Sequence, residues 1–358
     1  MRVLALLACG AAATPDWPAV RARGANASFS FPAFYVGGAA KCGTTTLSAW
    51  FAQHPRVLAP RVKEPFFFGK TETAQRRDMP DYFRDLRLES WWNDSSATFD
   101  GTASYLVDKD PHTLSSLRAA NPAIKLVVVF REPVTGQEKS AKFPTSKAPL
   151  SAVFHSPVTR AVSYLQHAAA NVLKRERHGR APDAKYPTCL LGGSLDVCAQ
   201  NGALAAHLER YGAAARRALA VFDRRQFYFA TMEALIAAPA AVFGDMLGFL
   251  GLEEAPLDFG QYGHSHSSDR PYNMSARAYR DLVHVASRDA DDLDGATGDA
   301  AFTAGWRDLW RAQRAQCDSP AFGRAGECYV YMNVATTLSR TALLDMMTAR
   351  HVQLRVAR

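Results

Sequence analysis

Short apolar runs that end in glycine alternate along this chain with segments in which apolar residues recur at helical spacing. Phe34-Tyr35-Val36-Gly37-Gly38 is β-type and stops in glycine. From Thr44 to Gln53 the apolar residues Leu47, Trp50 and Phe51 fall on one helical face, so the local order is strand, glycine loop, helix. Lys125-Leu126-Val127-Val128-Val129-Phe130 is apolar on both faces, the pattern of a strand inside a parallel sheet. Pro157 to Leu173 reads as a helix, as do Leu204 to Val221 and Ala240 to Leu250, and Gln226-Phe227-Tyr228-Phe229 reads as a third strand. Strands alternating with helices predict an α/β fold with a central parallel sheet between helical layers. Beyond about residue 255 the pattern turns polar and irregular, with an Asp-rich stretch at 289–299, and 255–358 receives no firm assignment.

The composition of the 358 residues, 48% hydrophobic and 21% charged, excludes a disordered, collagenous or all-membrane chain and allows one large α/β domain or two small ones. A net charge of +8 leans towards an anionic ligand and gives no sign of nucleic-acid binding. Arg2, the apolar run Val3 to Cys9 and the small residues Gly10 to Ala13 form a secretory-signal pattern over residues 1–13. Such a run is too short to span a membrane, which takes roughly 20 apolar residues. A buried segment or an incomplete membrane anchor are the alternatives. Asn26-Ala27-Ser28, Asn93-Asp94-Ser95 and Asn273-Met274-Ser275 have the form of glycosylation acceptors. Cys189/Cys198 and Cys317/Cys328 are close pairs that read as disulfides in an oxidising compartment. Neither pair has zinc-site spacing, His264 and His266 lack companion ligands, and no metal is expected.

The strongest candidate chemistry is in Lys41-Cys42-Gly43-Thr44-Thr45-Thr46. A glycine turn between strand and helix aims backbone N–H groups at one spot, and the helix dipole favours an anion there. Lys41 adds a full charge, and Thr44 to Thr46 add hydroxyls. The lysine precedes Gly43 rather than following it, which sets the loop apart from the usual nucleoside-triphosphate loop.

Lys41-x-Gly43-Thr44-Thr45-x-Leu47 resembles the 5′-phosphosulfate loop of the sulfotransferases that use 3′-phosphoadenosine 5′-phosphosulfate (PAPS), particularly the Golgi carbohydrate group that modifies glycosaminoglycans. Lys63-Glu64-Pro65-Phe66-Phe67-Phe68 looks like that group's Lys-Glu-Pro-x-Phe-Phe segment. Gly101-Thr102-Ala103-Ser104-Tyr105-Leu106, Lys125 to Pro133, His207 to Tyr211 and Phe249 to Leu252 continue the likeness in order across 32–252. It implies a nucleotide-kinase-like, P-loop α/β/α fold over 32–345 and PAPS as sulfuryl donor. It further implies a carbohydrate acceptor, an acidic polysaccharide being one candidate, and a place in the secretory pathway, the Golgi lumen. Lys41 then stabilises charge on the transferring group. Glu64 takes the position of a catalytic base, the bland alternative being an exposed glutamate paired with Lys63 or Arg61. Arg131 and Ser163 take the positions that hold the 3′-phosphate.

Departures from the family pattern are specific. The pattern Arg-(Asp/Glu)-Pro-x-x-Arg-x-x-Ser is split between Arg131-Glu132-Pro133 and Val158 to Ser163. Pro133-Val134-Thr135 is echoed by Pro157-Val158-Thr159, and removing 134–157 restores a continuous motif. The removed stretch, polar and holding Pro144 and Pro149, reads as loop, from either an unspliced intron or a genuine insertion. Gly101 stands where several relatives carry lysine, and nothing after Cys328 matches their Lys-Gly-Arg loop. The basic run Lys174 to Arg180 suits an acidic sugar chain or a solvated loop equally. The rival functions are a nucleotide-dependent kinase of the same architecture and a catalytically impaired relative that binds polyanions.

Overall fold

The computed structural model describes residues 17–18, 31–38, 42–87, 96–108, 110–131, 211–259 and 276–317. Five strands run β1 (Phe34–Gly38), β2 (Val57–Leu58), β3 (Ala97–Asp100), β4 (Lys125–Phe130) and β5 (Phe227–Thr231). Between and after them lie helices α1 (Thr44–Phe51), α2 (Glu72–Asp85), α3 (Pro111–Ala120), α4 (Tyr211–Val221), α5 (Met232–Ala237), α6 (Pro239–Leu250), α7 (Ala276–Thr297) and α8 (Ala304–Cys317). The strands form one sheet in the order β2-β3-β1-β4-β5. β1 pairs in parallel with β3 and with β4, the latter in the register Phe34 with Lys125 through Gly38 with Val129, and β2 pairs in parallel with β3. The expected α/β class with a parallel sheet is what the chain adopts.

The contacts fall into two compact units. The first comprises Met1–Phe130, Ala214–Ala230 and Ala240–Gly263; the second comprises Arg131–Ala213, Thr231–Pro239 and His264–Arg358. In the first, β1 and β3 are buried throughout, and Leu126 to Phe130 of β4 have no exposed surface. That explains the absence of period-two alternation in β4, whose two faces are both covered. Phe34 on β1 stacks on Phe99 of β3 with ring centroids 5.1 Å apart and meets Phe51 of α1 at 4.9 Å. Trp17 packs on Phe67, Phe68, Tyr82 and Phe83. Local signals set the helix starts: the Thr71 hydroxyl accepts the Ala74 N–H at α2, and Asp110 accepts the His112 N–H at α3, where Pro111 opens the helix.

The second unit corrects one expectation. The polar stretch after residue 255 is not irregular throughout, because Ala276–Thr297 and Ala304–Cys317 are long helices and the Asp-rich run lies inside the first. Leu282, Ala286, Ala290 and Leu293 form its buried stripe at helical spacing. The aspartates each hold a neighbour. Asp289 accepts the N–H groups of Tyr211 and Gly212 at 2.6 and 3.0 Å, a carboxylate on the first turn of α4. Asp294, buried, accepts the Thr303 N–H at 2.8 Å and pairs with Arg307 at 2.8 Å, while Asp291 takes the other guanidinium nitrogen at 2.6 Å. Alanines carried the stripe and the carboxylates masked it, so the sequence pattern looked merely polar. Among the described residues no helix is long and apolar enough to cross a membrane.

Candidate active site

In a sheet of order β2-β3-β1-β4-β5 the chain leaves β1 towards one edge and later crosses to β4 on the other side. A parallel sheet opens a crevice beyond its strand ends at such a reversal, and ligands bind there. β1 ends and α1 begins at that point. Gly43, the residue before α1, has φ 83 and ψ 10, a left-handed conformation that a side chain would strain. It turns the chain into the helix without a side-chain cap of its own, the kind of helix start whose first-turn N–H groups suit an anion. Cys42 is buried. Thr44 is buried, Thr45 exposed and Thr46 between the two.

Across from this turn runs the Lys63-Glu64-Pro65 segment. Lys63 Nζ donates to Thr44 Oγ1 at 3.2 Å and is ion-paired with Glu64 Oε1. One ammonium thus joins a hydroxyl of the loop helix to the carboxylate expected to act as base. Both charged groups retain access to solvent, so a bound acceptor can reach them. The pairing is the one foreseen as the bland reading of Glu64. Its continuation to Thr44 is new, and makes Lys63 a site residue that sequence reasoning passed over. The signal for it was Gly101. Gly101 N–H donates to the Lys63 carbonyl at 3.1 Å. A Cβ at 101 would lie 2.9 Å from that oxygen, 3.2 Å from Lys63 Cγ and 3.3 Å from Ser48 Oγ. The glycine that departs from the family pattern is therefore the space in which the Lys63 stem rests.

Behind Glu64 lies a buried polar cluster. Asp100 Oδ2 accepts the hydroxyls of Tyr82 and Tyr105 at 3.3 and 3.2 Å, and Oδ1 accepts the Thr102 N–H at 2.9 Å. Burial pushes the Asp100 carboxyl up to about 6, against the hydrogen bonds from Thr102, Tyr105 and Tyr82 that favour its charged form. Burial, together with the Asp100 charge, pushes Tyr82 and Tyr105 well above the usual phenol range.

Thr44, Lys63 and Glu64 are thus brought together, with Cys42, Gly43, Thr45 and Thr46 on the adjoining turn. Arg131, the residue after β4, is buried. Lys41 and Ser163 lie outside the described residues. So do 134–157, the pair Cys189/Cys198, Cys328, His264, His266 and the three glycosylation triplets.

No family model matches the chain. Human heparan sulfate glucosamine 3-O-sulfotransferase 6 is 28% identical over 229 residues, which are 64% of this chain and 54% of that protein. Human heparan sulfate glucosamine 3-O-sulfotransferase 3B1 is 27% identical over 233 residues, 65% of this chain and 49% of that one. The chain spans about half the length of the curated relatives it matches. A solved sulfotransferase from Alicyclobacillus acidocaldarius aligns over 77% of this chain and 98% of its own, with TM-score 0.48 and 20% identity. The chain, a parallel α/β sheet with a glycine turn at its reversal, is thus similar to sulfotransferases, and its homology to the heparan sulfate glucosamine 3-O-sulfotransferases is distant, at 27–28% identity.

Proposed function

We propose that this chain transfers a sulfuryl group from PAPS to a hydroxyl or amine of a carbohydrate, favouring an acidic glycan, within the secretory pathway. The observation that supports the reading is the Lys63 bridge between Glu64 and Thr44, a carboxylate and an ammonium beside the turn that opens α1. The groups present suit a phosphosulfate: first-turn N–H groups, a threonine hydroxyl and an ammonium, all donors. When bound, PAPS supplies the sulfuryl group and departs as adenosine 3′,5′-bisphosphate. Glu64 accepts the proton that the acceptor hydroxyl or amine gives up as its oxygen or nitrogen bonds to sulfur. Lys63, with Lys41 on the loop, balances the charge that moves onto the bridging oxygen as its bond to sulfur breaks. Arg131 and Ser163 are the candidates for the 3′-phosphate.

The test is transfer of labelled sulfate from PAPS to a glycan panel by wild type, Lys41→Ala and Glu64→Gln. Loss of transfer in both variants is expected, and undiminished activity in either would overturn that residue's role. The impaired, polyanion-binding reading draws on Gly101, which replaces a lysine that relatives carry. Binding of adenosine 3′,5′-bisphosphate and heparin by a wild type that transfers no sulfate would establish it instead.

A further inference from the structure

The backbone that follows Glu64 is held by an unusual chain of bonds. Phe66 has φ 50, a left-handed conformation that costs a residue with a side chain about 1–2 kcal/mol. Such a residue persists only where its surroundings over-determine it. Here the surroundings are three consecutive amide contacts. Phe66 N–H donates to Thr102 Oγ1 at 3.2 Å, and the N–H groups of Phe67 and Phe68 both donate to the Tyr105 hydroxyl at 2.7 and 3.1 Å. That hydroxyl, having accepted twice, donates its own proton to Asp100 Oδ2. The other carboxylate oxygen fixes the Thr102 backbone. Both side chains that receive the loop amides are thus oriented by one fully buried carboxylate.

Neighbouring rings keep the arrangement stiff. Tyr82 donates to Asp100 while its ring stacks on Phe67 at 4.2 Å. Tyr35 donates to the Thr102 carbonyl at 2.9 Å while its ring stacks on Tyr105 at 5.7 Å. A buried carboxylate is costly unless well hydrogen-bonded, and apolar packing would secure a loop at lower cost. What the carboxylate adds is direction. It sets where the tyrosine hydroxyl points, and with it where the amides after Pro65 must lie.

We infer that Asp100 is a positioning residue: through Tyr105 and Thr102 it fixes the Pro65–Phe68 backbone and so holds the Glu64 carboxylate beside Lys63 and Thr44. The inference rests on the reading of Glu64 as the base. Tyr105→Phe is the cleanest probe, since it deletes the hydroxyl and keeps the ring, and Thr102→Val deletes the other acceptor. Two measurements are taken: labelled sulfate transfer from PAPS to heparan sulfate, and amide hydrogen exchange of the peptide spanning 64–70.

Tyr105→Phe is expected to lower kcat by about tenfold or more, leave the KM for PAPS within about threefold, and speed exchange at Phe67 and Phe68 while β1 stays protected. In a Glu64→Gln background the same change should cost no further activity, because a residue acting through Glu64 has nothing left to position. Losses that multiply in the double variant would mark a general structural role and overturn the inference, as would unchanged exchange in Tyr105→Phe. Full activity in Glu64→Gln with faster exchange in Tyr105→Phe would instead remove the base assignment and leave the clamp standing. Lost activity in Glu64→Gln with unchanged exchange in Tyr105→Phe would do the reverse.

Discussion

Lys63 reaches Thr44 Oγ1 at 3.2 Å while ion-paired with Glu64, so a single side chain ties the Lys-Glu-Pro segment to the first turn of the loop helix. Neither motif contains this relationship by itself. It arises because β1, which leads into the loop helix, and β2, which leads into the Lys-Glu-Pro segment, both run parallel to β3 between them and deliver their following segments to the same end.

Replacing Lys63 by methionine should lower kcat by about a hundredfold, the usual scale for removing one preorganised donor from developing charge. Stability should change by no more than about 1 kcal/mol, since the lost ion pair is partly solvated. Initial rates with PAPS and a thermal melt check both halves. A rate within about twofold of wild type would mean the bridge plays no part in transfer.

Gly101→Ala places a methyl group 2.9 Å from the Lys63 carbonyl and 3.2 Å from its Cγ. Overpacking of this kind costs about 1–3 kcal/mol, and the displaced neighbour is the bridging lysine. Urea unfolding should show the loss, with kcat falling in parallel. Gly101→Lys, which installs the residue that relatives carry, should do worse rather than restore anything.

The raised Asp100 carboxyl makes a prediction about pH. Free in an unfolded chain it titrates near about 3.9. In the folded protein it titrates at about 6. Between those values the folded state binds more protons than the unfolded state, so this group's contribution to stability falls as pH rises through the window and is level above it. The full drop is on the order of 3 kcal/mol at about 1.4 kcal/mol per pH unit. Tyr35, Tyr82 and Tyr105 around it are all raised and stay neutral throughout. The difference in unfolding free energy between wild type and Asp100→Asn, followed from pH 4 to pH 7, should show that slope, and a flat difference would refute it.

In the second unit, Asp294→Ala strips a buried acceptor from the Thr303 N–H and one of two carboxylate partners from Arg307. Leaving that buried N–H without its acceptor costs about 1–3 kcal/mol. Hydrogen exchange in α7 and α8 should accelerate; protection equal to wild type would show that the aspartate is not holding them.

How far the residues announced all this depends on where burial is one-sided. β1 and β4 were evident because an uninterrupted apolar run that stops at a turn is seldom anything but a buried strand. β2 and β3 were not, the one being two residues long and the other, Ala-Thr-Phe-Asp, holding a threonine and a carboxylate that are buried and hydrogen-bonded. α2 escaped because its mean character is polar and Pro80 sits inside it. Glu64 was legible as a motif position, whereas Lys63 was not. A cation's usefulness depends on what lies across from it, and that is decided by strand order rather than by spacing. Gly101 was noticed as a missing lysine. Only the geometry shows that its missing side chain is occupied room.

Trp17 closes the far side of the backbone that follows Glu64. Its ring touches Phe67 and Phe68, the two residues whose amides end on Tyr105. Emptying that place, as Trp17→Ala would, opens a cavity behind the very backbone that Tyr105 grips from the other side, so one side chain far back in the sequence helps to keep the stretch after Glu64 still.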